Sequence, residues 1–248
     1  MRQHSCGRGP LPLARGRWGA GLLALVLILL AGIFLALGAW QVQRREWKLG
    51  LIERVEQRVH AAPVAAPGPA EWPALSRDGA EYLAVRATGT FLNDRETLVQ
   101  AVSDLGAGYW VLTPLRTDAG FTILVNRGFV PHDRRARAER AAGEIAGPAT
   151  VTGLLRIPET GGGFLRNNDP AADRWYSRDV AAISAARQLG DVAPYFIDAD
   201  ATPNAGGLPV GGLTVIRFAN NHLGYALTWL ALAIMSVAGA VLVWRRRV

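Results

Sequence analysis

The sequence predicts a membrane protein. Two transmembrane α-helices flank one α+β domain, mostly antiparallel β and barrel-like, outside the cytoplasm. Three observations lead there. Half of the 248 residues are hydrophobic, more than a soluble domain needs to fill its core. Residues 18–43 and 218–244 carry no formally charged side chain, and each can bridge a hydrocarbon layer of about 30 Å, which takes about 20 apolar residues in a helix. Between them lie short alternating segments broken by Gly and Pro, the pattern of many short strands.

The elements follow in chain order. Residues 1–17 form a tail with Arg2, Arg8, Arg15 and Arg17. The first span covers 18–40, with Trp18 and Trp40 at its ends, as amphipathic rings settle at headgroup depth. Small residues at 37–39 would suit signal cleavage, but the apolar run exceeds a roughly 7–15-residue signal core, so a retained anchor is expected. Residues 41–60 continue as an amphipathic helix, with Trp47, Leu51, Ile52, Val55 and Val59 at helical spacing. Residues 61–80, rich in Pro and Ala, read as a stiff linker.

The domain is expected over 81–217. Strands are predicted at 81–92, 97–102, 149–157, 195–198 and 213–218, with a hairpin of 109–116 and 121–130 around the turn 117–120. On its second strand Phe121, Ile123 and Val125 share one face. Gly161, Gly162 and Gly163 mark a flexible loop. Ser177 is the expected cap of a helix ending near Leu189, stopped by Gly190, with Val180, Ile183 and Leu189 facing the sheet. Short strands with Gly/Pro turns suggest a small closed or half-closed barrel.

The second span covers 222–244, marked by Tyr225, Trp229 and Trp244, and a basic tail covers 245–248. Arg245, Arg246 and Arg247 follow this span, while only Arg217 stands just before it. That asymmetry places the C-terminus in the cytoplasm, and two spans bring the N-terminus to the same side. Arg44, Arg45, Lys48, Arg54 and Arg58 after the first span argue the other way, but long domains translocate largely regardless of charge. The domain is then periplasmic.

Several chemistries are excluded or unsupported. The net charge of +7 gathers at the membrane edges rather than on a face with interleaved aromatics, so nucleic acid is not an expected partner. The lone cysteine is Cys6, in the tail, and Met1 and Met235 are the only methionines. No soft-metal carrier can be built from these, and the domain forms no disulfide. No nucleophile elbow, phosphate loop or zinc-protease motif occurs. Asp94, Glu96, Asp104, Asp169, Asp173 and Asp179 show no spacing that calls for acid–base catalysis. The chain is therefore expected not to be an enzyme.

One constellation stands out. On a helix starting near Asn221, His222 and Trp229 fall almost on one line, with Tyr225 about 60° round. Imidazole, phenol and indole would then share a stripe at interfacial depth. One reading is a wall for a flat amphiphilic cofactor, with His222 as an axial ligand to haem iron. The plainer reading is an aromatic belt, where Asn220 or Asn221 caps the helix and His222 faces headgroups. The residues alone leave both open.

Three further stretches have simpler accounts. Residues 125–131 (VNRGFVP), with the basic run 132–140 behind them, read as a strand end with a bulge and a solvated loop, the alternative being a docking surface for an acidic partner or lipid headgroups. Residues 166–180 (RNNDPAADRWYSRDV) supply turns, with Trp175 and Tyr176 plugging the core. Gly32 with Ala36, and Ser236 with Ala240, are small residues four apart that let helices approach closely.

Four stretches together resemble the surfeit-locus protein one family, the cytochrome oxidase assembly factors of bacterial and mitochondrial inner membranes. They are GAWQVQRREWKLGLIERV (38–55), YWVLTPLRT with VNRGFVP (109–131), DRWYSRDV (173–180) and NNHLGYALTW (220–229). Four motifs in order and topology are specific where each alone is not. The resemblance, to a bacterial-type member, implies a non-enzymatic role in delivering haem a to the catalytic subunit of cytochrome c oxidase. It implies subunit 1, haem a synthase and membrane lipid as partners, in the cell inner membrane. It also implies His222 as haem ligand, beside which helical spacing sets Tyr225 and Trp229. A scaffold that never touches haem, and a membrane-anchored enzyme or sensor, are the alternatives.

Overall fold

In a computed structural model of the chain, residues 15–163, 165–216, 218 and 220–246 are described, 15–17 by their backbone alone. Residues 1–14, with Arg2, Arg8 and Cys6, lie outside them, as do Arg217 and Arg247. The chain divides into two compact units, one containing the two long helices and the other Glu53–Arg217.

In the first unit, α1 (Arg15–Val59) runs without a break for 45 residues, about 68 Å at 1.5 Å per residue. Its last turns belong to the second unit. The partner helix α4 (His222–Arg245) has 24 residues. Both are long and apolar enough to cross a membrane. Their apolar side chains are largely exposed, among them Leu22, Ile28, Leu29, Leu227, Leu230 and Ile234.

The exception is one seam. Ala24, Ala31 and Gly38 stand seven apart on α1, and Ala226, Ala233 and Ala240 on α4; the five alanines are buried. Small residues at heptad spacing let two backbones meet over several turns. The Gly38 position lies against Ala226 and Trp229, and that of Gly239 against Leu27, an antiparallel register. Of the two small pairs expected from the sequence, Ser236 and Ala240 are in the seam. Gly32 and Ala36 are not; both are exposed.

The second unit is a mixed sheet. Its elements are β1 (Val64–Ala65), α2 (Arg77–Ala80), β2 (Ala84–Phe91), β3 (Thr97–Ser103), β4 (Gly106–Thr117), β5 (Thr122–Pro131), β6 (Pro148–Arg156), β7 (Gly162–Gly163), β8 (Arg166–Asn167), α3 (Val180–Ala186) and β9 (Val192–Ala199). The sheet order is β1-β2-β6-β9-β5-β4-β3, with β7 and β8 as a separate pair. β1–β2 and β5–β9 are parallel and the other pairs antiparallel. β2 also pairs with β4 through Gly89–Thr117, Thr90–Arg116 and Phe91–Leu115. The pairings therefore run β2–β6–β9–β5–β4 and return to β2. Gly89 permits the return, since a Cβ there would lie 2.1 Å from the Arg116 carbonyl oxygen.

Period-2 burial splits the core between the two faces. Val85, Leu115, Phe121, Ile123, Val125, Leu155, Tyr195 and Ile197 fill one cluster. Val99, Leu112, Leu124, Trp175, Val180, Ile183 and Phe196 fill another. Phe121, Ile123 and Val125 share a face as expected, and Val180, Ile183 and Leu189 pack on the sheet. The expected hairpin is β4–β5, and Trp175 plugs the second cluster while Tyr176 is half-buried.

Four local expectations are corrected. The stretch 61–80 is no bare linker. β1 joins the sheet, Trp72 packs edge-on against Phe121, and the Pro67 carbonyl accepts from Trp72 Nε1 at 3.0 Å and Tyr195 Oη at 2.7 Å. The α3 cap is Asp179, which accepts from the Ala182 amide; Ser177 instead accepts from Asn168. Residues 213–216 form no strand; Thr214 turns to bond Asp198, and Gly212 before it has φ 72°. The glycines of 161–163 are not all loop, since Gly162 and Gly163 pair with Asn167 and Arg166.

Candidate functional site

Two places gather polar chemistry, one in each unit. In the first, Asn221 occupies the position before α4 but its side chain makes no cap bond. The Asn220 Oδ1 atom is buried and, among the described residues, without a partner. The expected asparagine cap is therefore absent. His222, the first residue of α4, turns toward α1, and its Nδ1 lies 2.7 Å from Gln41 Oε1. Gln41 is itself buried. An amide oxygen only accepts, so Nδ1 carries the proton and Nε2 keeps its lone pair. Among the described residues Nε2 has no partner.

Two turns on, Trp229 stacks on Phe34 at 5.7 Å with rings 23° apart. Its Nε1 is buried and unpaired among the described residues. Tyr225 sits on the outer flank, 56% exposed. The structure thus brings His222 and Trp229 onto the seam and leaves Tyr225 beside it. Sequence reasoning missed Gln41, Phe34 and Gly38. Gln41, three residues after Gly38 in the same heptad pattern near the end of the apolar run, was the available signal.

No group of three or more His, Cys, Asp or Glu side chains gathers as a metal would need among the described residues. Haem asks less, since the porphyrin supplies four ligands and the protein one or two. The donor set here fits that demand. One half-buried imidazole offers Nε2, and an indole N–H without an acceptor lies about 10 Å along the same helix.

The second place lies among β5, β6 and β9. Asp198 is buried at 3% exposure and accepts from four side chains. Asn126 Nδ2 lies at 2.8 Å, Arg156 Nη1 at 2.6 Å, Arg178 Nη1 at 3.2 Å and Thr214 Oγ1 at 3.1 Å. Arg156 also donates to Glu81 at 2.8 Å, and Arg178 to Glu159. Both guanidiniums lie over the Phe196 ring. Burial works against the Arg156 cation, but the Asp198 and Glu81 carboxylates hold its pKa above the ordinary value. Burial likewise pushes the Glu159 carboxyl up, yet the Arg178 bond and charge outweigh it and leave its pKa lowered. A cleft of about 220 Å³ opens here, lined also by Trp110, Leu213 and Val215. Every carboxylate in the cluster is held by an arginine.

The other stretches resolve as structure. A register shift at Trp110/Leu112 opposite Asn126 and Phe129 is a β-bulge. It is seated on Gly128, at φ 134°, where a Cβ would lie 2.1 Å from the Val210 carbonyl oxygen. Arg127 is buried over Phe91 and donates to Asn204 at 2.7 Å. Arg140 is buried and paired with Glu96. The basic run therefore offers less free charge than its composition suggests. It forms short 3₁₀ turns, His132–Arg134 and Arg137–Gly143, rather than an open loop.

Comparison with known proteins places these features. The model of the SURF1 family matches residues 28–234. Surfeit locus protein 1 of Homo sapiens is 38% identical over 85% of this chain and 74% of its own length. A SURF1-like protein of Monosiga brevicollis is 36% identical over 94% of this chain and 91% of its own. The Drosophila melanogaster SURF1-like protein is 30% identical over 91% and 77%. The family match begins within α1, takes in the sheet and ends within α4, and the chain belongs to the SURF1 family.

Proposed function

We propose that this protein is a membrane-anchored assembly factor for cytochrome c oxidase that holds haem a on its way into the catalytic subunit. The observation that carries the reading is His222, an imidazole at the head of the second apolar helix whose Nε2 has no partner among the described residues. Family membership supports it, as do two helices whose exposed leucine and isoleucine surface would be an aggregation liability in water but matches lipid. Both helices cross the inner membrane, the tails lie in the cytoplasm, and the sheet domain is periplasmic, closed by β2–β4 into a small barrel.

Haem a, when bound, would supply an iron that takes a protein nitrogen. His222 would hold it through Nε2 at the membrane edge, where a porphyrin with a greasy tail partitions. A single half-buried imidazole would hold weakly enough for release to subunit 1 after receipt from haem a synthase. Trp229 offers an unpaired N–H and Tyr225 an exposed ring beside it. The protein is not an enzyme in this reading. The carboxylates of the cluster, Asp198, Glu81 and Glu159, are each engaged by an arginine. A role as scaffold gains support from the exposed Val102 and Val215 at the rim of that cleft, a face suited to a protein partner.

The test is to make the full chain in cells that produce haem a, purify it in detergent and record the haem spectrum. Wild type carries haem and His222→Ala loses it. Equal haem content in both proteins would remove His222 as the ligand.

A further inference from the structure

The bond between His222 and Gln41 joins the two spans. It is short, at 2.7 Å, and one partner is buried between apolar helices, where the alternative is an unsatisfied amide. Which ring nitrogen of a histidine is free for a metal is set by the hydrogen bond that the other makes. Gln41 Oε1 takes the Nδ1 proton and so leaves Nε2 as the donor. The register that delivers Gln41 is fixed one turn away, where the Gly38 position lies against Ala226 and Trp229.

We propose that Gln41 is the positioning residue of the haem site. It fixes the Nδ1–H tautomer and the ring orientation of His222 from the neighbouring span, so the ligand is competent only when the two spans are paired. This rests on the reading of His222 as ligand. Partners of this kind orient metal-bound histidines widely, and their loss weakens metal affinity roughly 10–100-fold. Gln41 touches no iron in this scheme and acts through the imidazole.

The experiment has two arms on the full chain in detergent or bilayers. In the first, without haem, histidine is ¹⁵N-labelled and spectra are recorded above the ordinary imidazole range of about 6.5, with His222→Ala identifying the signal. Wild type shows His222 protonated on Nδ1. Gln41→Leu moves the proton toward Nε2, and Gln41→Glu, which keeps an acceptor of the same shape, restores Nδ1–H. A wild-type His222 protonated on Nε2, or a tautomer indifferent to Gln41→Leu, overturns the proposal. In the second arm haem is titrated in. Gln41→Leu weakens binding roughly 10–100-fold. Gln41→Glu retains binding, raises the ferrous iron–histidine stretching frequency and lowers the midpoint potential, because a stronger acceptor makes the imidazole a stronger donor. Binding and spectra unchanged in both Gln41 variants, with haem lost in His222→Ala, would overturn the positioning role alone. Haem binding unchanged in His222→Ala would overturn the ligand reading, while the first arm still decides the tautomer.

Discussion

At the scale of single residues, the chain separates a side chain held loosely for chemistry from one held tightly for structure. Among the described residues, His222 has one side-chain bond and a nitrogen without a partner, whereas Asp198 accepts from four side chains. Removing Asp198 leaves two guanidiniums in a largely dry place facing no charge at that end. Asp198→Ala is expected to cost about 3–5 kcal/mol, as loss of one partner of a buried ion pair does. Chemical denaturation of the full chain in detergent, followed by tryptophan fluorescence, measures it; a loss under about 1 kcal/mol, the worth of an exposed pair, would mean that the cluster is solvated. His222 was legible in the sequence because an imidazole beside an apolar run is conspicuous. Gln41 and Asp198 were not. Each is ordinary in its local stretch, and each acquires meaning only from a residue far along the chain that folding brings to it.

At the scale of elements, periodicity read well and boundaries read less well. The β4–β5 hairpin and the sheet-facing side of α3 follow from alternation and helical spacing alone. The segment 61–80 misled because its composition is that of a spacer, whereas the Pro67 carbonyl takes two buried donors that no local pattern announces. Leu213, Val215 and the residues around them alternate like a strand, but Thr214 is drawn to Asp198 instead of a ladder. Asp179 takes the α3 cap because its carboxylate reaches the Ala182 amide, while Ser177 is already engaged with Asn168. The small-residue pattern on α1 pointed to Gly32 and Ala36 where the seam in fact uses Ala24, Ala31 and Gly38, because a spacing of four fits one short crossing and a spacing of seven fits a long antiparallel one. That distinction is testable. Gly38→Leu forces the spans apart and lowers the thermal midpoint of the full chain in detergent by several degrees. Gly32→Leu, where an added Cβ has nothing within 4 Å, leaves it unchanged. Equal loss in both variants would move the seam.

At the scale of the whole molecule, the layout is two apolar helices bracketing one sheet domain, and the orientation proposed for it makes a clear prediction. With Cys6→Ser as background, a cysteine at the 84% exposed Val102 reacts with a membrane-impermeant maleimide in intact spheroplasts. A cysteine at Arg246 reacts only after lysis. The reverse pattern would invert the topology. The parallel pairing of β5 with β9 has a further consequence, for the order of events during biogenesis. The bond between Asn126 and Asp198 spans 72 positions, so β5 leaves the ribosome well before its neighbour exists. Non-local strand pairing is slow, and until β9 arrives β5 offers a bare hydrogen-bonding edge to any other extended chain nearby. On the proposed topology, that interval is when the chain is most open to mispairing.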